Sequence, residues 1–368
     1  MSVHGIIYAF LAQPELNELV AQRTAASLPI GCRYRLIDFA MSSLMNARAG
    51  GAGVIMQRDY QSLLDHLGSG KDWDMSRRRG GLRLLPPFGL AGSAGQYQGC
   101  MDALAGVYNY IADIPETNIA LLRGDLLANL DLNAAMETHR TLGTDITAIC
   151  TASPADALRH RFELDKDGYA ENILCNVRPG AGGIAPLEAY IIKKSALLEL
   201  IQWCSERRKL HFHRDAMTHY LSEGNKLGVY MHEGYALPIT NTRDYYAANM
   251  ALFDPAVRRD LFPAERPVRS KSHEEVSTYY GENSRVRNSL VADGCIIEGE
   301  LHNCVVFSGA RVARGASLEG CILMRGCRIE KGVIMRNCIA DKHVSVSENS
   351  TLSGSEALPI IIPKGSTI

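Results

Sequence analysis

Apolar residues along the first two thirds of the chain fall in short runs separated by stretches with a helical period. Ile6–Leu11, Val54–Met56, Asn118–Leu122, Asp145–Cys150, Glu188–Ile192 and Leu227–Met231 read as strands. Leu36, Phe39, Ala40, Ser43, Leu44 and Ala47 recur with the spacing of one helix face. Met101, Leu104, Ala105, Tyr108 and Ile111 do the same, as does Leu197–Cys204 in looser form. Such alternation predicts an α/β fold with a mostly parallel sheet covered on both faces. Ligands of these sheets sit beyond the carboxyl ends of the strands, which directs attention to Gln57 and Asp125. Between about residues 254 and 282 the pattern lapses, and this stretch reads as a connection holding one short helix.

After Ser284 a repeat of 17 residues takes over. Val312, Ile329 and Val346 keep that step, as do Leu301, Leu318, Met335 and Leu352, and Val305, Ile322 and Ile339. Each period contains three short subunits with an aliphatic residue directed inward, as at Val312, Leu318 and Leu323. A chain turning this way builds a triangular prism of parallel strands, and the pattern resembles the hexapeptide-type left-handed β-helix. Cys304, Cys321 and Cys338 form a column that stacked coils would space about 5 Å apart. A straight column lacks the tetrahedral array of a thiolate metal site, so it is expected to be a ladder of small buried side chains.

At 368 residues the chain is long enough for two domains, and 46% hydrophobic with 21% charged residues is globular composition. A formal net charge of −1 supplies no overall attraction to nucleic acid or an anionic membrane. Met1–Val20 lacks a basic start and carries Glu15 and Glu18, unlike a secretory signal. Ten cysteines without a CxxC pair are expected to be reduced thiols of a cytoplasmic protein.

Residues 29–39 (PIGCRYRLIDF) resemble the PxGGKYRIIDF segment of bacterial glucose-1-phosphate adenylyltransferases. Further likenesses follow in order: VIMQRDYQSLL at 54–64, the Leu82–Pro87 loop, YQGCMDAL at 97–104, Gly124–Asp125, FHRD at 212–215 and DYYAANM at 244–250. The β-helix comes where that family has one, and WDMSRRRGGLRLLPP at 73–87 looks closest to its D-type, regulatory subunit. The resemblance divides the chain into a Rossmann-like nucleotidyltransferase domain over residues 1–253, a linker over 254–282 and the β-helix over 283–368.

Departures from the family pattern concentrate where phosphates and metal would bind. The family's GGxGxRL loop is matched by Ala9–Arg23, which has no glycine and carries Glu15 and Glu18, and the family's downstream Lys falls on Ala25. Carboxylates beside a triphosphate are unfavourable, so this loop is not expected to cradle one. The resemblance implies Mg²⁺ held by two Asp residues; Asp125 matches the first and Pro238 replaces the second, which puts Mg²⁺ binding by this chain in question. Losing one electrostatic stabiliser typically costs about 10²–10³ in rate.

The resemblance supplies further candidates. Gln57 matches an adenine-contacting position, Gly99 and Asp102 are further substrate or nucleotide-binding candidates, and Arg178, Arg214 and Asp215 fall on the sugar-phosphate side, although Cys175-Asn176-Val177 before Arg178 does not match. Arg33 and Arg35 read either as a phosphate clamp for an effector or as surface arginines paired with carboxylates. Arg78, with Arg77, Arg79 and Arg83, reads either as an effector or subunit contact or as a solvated basic loop. His211, His213 and His219 can be read as a metal cluster, but as residues beside a helix start they are expected to be structural or exposed.

Three functional readings follow. The first is a regulatory subunit with weak or no activity of its own, assembled as a heterotetramer with a catalytic homologue in glycogen biosynthesis and responsive to a phosphorylated effector. The second is an active enzyme making ADP-glucose and pyrophosphate from ATP and glucose 1-phosphate. The third, from the β-helix alone, is an acyltransferase using His302 or His343. Selective loss of phosphate and metal groups favours the first.

Overall fold

The computed structural model of the chain describes residues 3–77, 80–87, 97–152, 158–272 and 274–368. It contains two compact units, each assembled from separate stretches of chain. One comprises Met1–Leu11, Ile37–Pro238 and Ala264–Arg269; the other comprises Ala12–Leu36, Ile239–Pro263 and Ser270–Ile368.

The first unit is built on a nine-stranded sheet. Its strands run in the order Gly81–Leu85, Gly51–Ile55, Val3–Tyr8, Asn118–Arg123, Ala185–Lys193, Ile146–Thr151, Leu227–Met231, Ala170–Cys175 and His160–Leu164. All but two point one way; Ala185–Lys193 and Ala170–Cys175 oppose the rest. The central strands Val3–Tyr8, Asn118–Arg123 and Ile146–Thr151 are buried along their whole length. They lie beneath helices such as Ile37–Asn46 and Lys194–Glu206, the layering expected of apolar runs with no polar face. The expected Met101–Ile111 helix is two helices, Cys100–Gly106 and Tyr108–Asp113, because Val107 leaves helical geometry at φ −115° and ψ 19°. The stretch Leu82–Pro87, matched to a family loop, mostly forms the Gly81–Leu85 strand.

In the second unit the 17-residue step is the strand register. Leu301 pairs with Leu318, Leu318 with Met335 and Met335 with Leu352. Val312, Ile329 and Val346 form a second column. Three five-stranded parallel sheets make the faces of the prism, and their inward aliphatic residues, with Cys304, Cys321 and Cys338, form a buried core.

The boundaries differ from those expected. The β-helix begins at Tyr279–Tyr280, which pairs with Ile296–Ile297, so its first strand lies upstream of residue 283. The 254–282 stretch contributes the helix Pro255–Leu261, capped by Asp254, and this first strand rather than being a linker throughout. Ala12–Leu36 and Ile239–Pro263 belong to the same compact unit as the prism because their apolar side chains pack there. Leu16 and Leu19 are fully buried in the Pro14–Val20 turns, which rest on Thr242–Ala251 and Ile360–Ile362.

Candidate functional site

The Asn118–Arg123 strand ends in Gly124 and Asp125, and the chain then forms the short strand Leu126–Ala128, which pairs with Ala236–Pro238. Pro238 stands opposite Leu126, beside Asp125. Asp125 is 3% exposed and accepts two hydrogen bonds from Arg123, Nε to Oδ1 at 2.6 Å and Nη2 to Oδ2 at 2.9 Å. This is the planar fork-on-carboxylate geometry particular to arginine. Arg123 also reaches Glu188, with Nη1 3.2 Å from Oε1, while the Tyr8 hydroxyl donates to Oε2 at 3.1 Å.

Each charge in this buried group is answered inside the group. Burial works against the Arg123 charge, but Asp125 and Glu188 more than restore it and hold its pKa above the ordinary arginine value. Burial and then Glu188 push the Tyr8 phenol well above its usual range, so it remains a hydrogen-bond donor. Glu188 reaches the group through backbone strain. It sits in a bulge between Pro186 and Ala189 with φ 55°, a conformation costing about 1–3 kcal/mol in a residue with a Cβ.

These residues do not fit Mg²⁺. A hard cation needs carboxylate oxygens free to coordinate it, and both Asp125 oxygens already accept from a guanidinium. Pro238 offers no side-chain oxygen in the second position.

Of the remaining expected positions, Gln57, Asp102 and Asp215 accept hydrogen bonds from nearby backbone amides, while Arg178 and Arg214 are exposed. Gln57 Oε1 accepts from the Tyr97 amide at 3.0 Å. Asp102 accepts from the Gln98 amide at 3.0 Å at the start of the Cys100–Gly106 helix. Gly99 allows close backbone approach: a Cβ there would lie 2.1 Å from the Leu210 carbonyl oxygen. Asp215 is nearly buried and accepts from the Leu210 and His211 amides at 3.1 and 2.9 Å. Burial raises its pKa, but those amides and Arg214 outweigh it and leave the carboxyl below its usual value. Arg214 lies 3.3 Å from Asp215 and is itself largely exposed. Arg178 is exposed at a turn closed by the Ala181 amide. Arg78 lies outside the described residues.

The second unit holds another concentration of charge. Arg23 and Asp341, 5% and 1% exposed, form a buried ion pair. It ties the segment matched to the family's phosphate loop to a coil of the prism. Glu15 and Glu18 of that segment face solvent while Leu16 and Leu19 face inward. Next to Asp341, Lys342 is pushed down to about 8, by burial first and then by the positive charges of Arg35 and Arg23, with Lys364 adding to them. Arg35 is half-buried in the Tyr34–Arg35 strand, whereas Arg33 is exposed.

Arg123, Glu188, Tyr8, Arg23 and Lys342 were not singled out from sequence. The i, i+2 spacing of Arg123 and Asp125 across a strand-ending glycine was the available signal. Nothing local marks Glu188, because its role depends on a bulge.

Comparison with known proteins gives a consistent picture. The nucleotidyl transferase profile matches residues 16–162 and the GlmU-like, C-terminal hexapeptide profile matches residues 273–356, in agreement with the expected left-handed β-helix. Glycogen biosynthesis protein GlgD of Bacillus subtilis (strain 168) is 31% identical over 98% of this chain and 95% of its own length. GlgD of Geobacillus stearothermophilus is 30% identical over 85% of this chain and 81% of its own. Glucose-1-phosphate adenylyltransferase of Geobacillus stearothermophilus is 27% identical over 82% of this chain and 79% of its own. Among the described residues no helix is long and apolar enough to cross a membrane. Similar along nearly its whole length to a GlgD protein and, at greater distance, to adenylyltransferases, the chain belongs to the GlgD family of glycogen biosynthesis proteins.

Proposed function

We propose that this chain is a regulatory subunit of glucose-1-phosphate adenylyltransferase that modulates ADP-glucose synthesis for glycogen without contributing a catalytic centre. The observation that carries the reading is the bidentate Arg123–Asp125 pair, a built-in cation on the carboxylate that matches a family metal ligand. Pro238 beside it and the glycine-free, leucine-anchored Ala12–Arg23 segment support the same conclusion. The partner is a catalytic homologous subunit, and control is a difference in its affinity between assembled states. The effector is a phosphorylated small molecule held by Arg35 and Lys342; Lys342 is pushed down by burial first and then by the charges of Arg35 and Arg23, which a phosphate would offset. The chain works in the cytoplasm, where its ten free thiols stay reduced.

The test is assembly. Light scattering of the chain mixed with a catalytic adenylyltransferase should show one hetero-oligomer, with an effector response shifted from that of the catalytic subunit alone. Two separate species with an unshifted response would overturn the proposal. Lys342→Met should assemble normally and lose the shift.

A further inference from the structure

His160, Glu188 and His213 come from three different elements, yet a ring nitrogen of each histidine and a carboxylate oxygen of Glu188 all lie within 4.8 Å of one another. His160 opens the His160–Leu164 strand, Glu188 occupies the bulge of Ala185–Lys193, and His213 lies in the π-helical turn Phe212–Met217. Bulges and π-turns are local irregularities that re-aim side chains, and here both aim at one point. The two imidazoles stack with centroids 4.1 Å apart. The His213 Nε2 lies 2.5 Å from the Tyr190 hydroxyl, an outer partner of the kind that fixes the orientation of a ligating ring. The Nδ1 of His160 is buried and has no hydrogen-bond partner among the described residues, a cost this fold retains.

We propose that these three residues form a binding site for a divalent transition-metal ion, with Zn²⁺ the ion best matched to two imidazoles and one carboxylate. Tetrahedral ligands at zinc distances stand about 3.4 Å apart, so the side chains close inward by about an ångström on binding. Three protein ligands leave a fourth position for water or an anion. Arg123 opposes a cation and holds Glu188 Oε1, but Asp125 and Glu188 leave the surrounding group net negative. Unlike the oxygens of Asp125, Glu188 Oε2 accepts from the neutral Tyr8 hydroxyl, which also reaches the Glu188 carbonyl, so the ion takes Oε2. The site is independent of the regulatory reading: it requires neither a partner subunit nor turnover.

The test uses the full chain, stripped with a chelator and titrated with Zn²⁺ and with Mg²⁺ by calorimetry, and with Co²⁺ by visible absorption. One Zn²⁺ per chain, no Mg²⁺ uptake and four-coordinate cobalt bands without thiolate charge transfer are expected. His160→Gln and Glu188→Gln, at half-buried positions, should each weaken Zn²⁺ binding at least about tenfold while circular dichroism stays unchanged. His213 is too buried for its replacement to be decisive alone. Failure of the wild-type chain to take up Zn²⁺, binding that survives either substitution, or a thiolate–cobalt band would overturn the proposal.

Discussion

Arg123 and Asp125 are charges that water would otherwise solvate, and the fold buries both because each satisfies the other in two parallel hydrogen bonds. Removing one partner leaves the other charge stranded. Arg123→Met is therefore expected to cost about 3–5 kcal/mol in urea unfolding, since Asp125 and Glu188 both lose their cation. Asp125→Asn should also destabilise the chain while leaving ADP-glucose formation by a mixed assembly unchanged. Lys342 behaves in the opposite sense. Its folded pKa of about 8 lies below the unfolded value of 10.5, so the protonated form is disfavoured by folding. That penalty is complete below pH 8 and is relieved as pH rises toward 10.5, where the unfolded chain binds the proton that the folded chain has released. Lys342→Met should raise Tm at pH 7, and the gain should shrink across that window. Inorganic phosphate binding should weaken as pH passes 8, when Lys342 loses its charge.

At the scale of elements, the Pro14–Val20 turns show how a binding loop becomes a structural one. Two leucines buried to 0% exposure replace the conformational freedom of glycines with packing against a helix and a strand. Leu16→Ala is expected to destabilise the second unit by about 2–5 kcal/mol in chemical denaturation. Gly99→Ala, with a Cβ 2.1 Å from the Leu210 carbonyl, should force the backbone apart and cost about 1–3 kcal/mol. The prism was legible in the sequence because every coil presents the same inward positions, so Leu301, Leu318 and Met335 announce both period and register. The strand Ala170–Cys175, paired between Leu227–Met231 and the edge strand His160–Leu164, was not legible, because its exposed positions carry polar residues such as Glu171 and Asn172 in place of an apolar run. Arg23 and Asp341 are far apart in the chain, and only folding reveals that they meet. Glu188 was read as the first residue of an ordinary strand, whereas the bulge turns it toward Arg123 and Tyr8.

The whole molecule keeps the architecture of a nucleotidyltransferase with a hexapeptide prism while its polar groups bind one another. Asp125 holds Arg123, Asp215 holds amides, Gln57 holds an amide and Arg23 holds Asp341. Side chains engaged with one another in this way are what the regulatory subunit proposed above would carry. The acyltransferase reading of His302 gains no support, since its ring lies on an exposed prism face 3.7 Å from Glu319. Whether this chain lacks a catalytic centre is tested by ADP-glucose formation by the purified chain alone with ATP, glucose 1-phosphate and Mg²⁺. No turnover above background is expected, with activity appearing only when a catalytic subunit is added. Robust turnover by the chain alone, abolished by Asp125→Ala, would contradict that expectation.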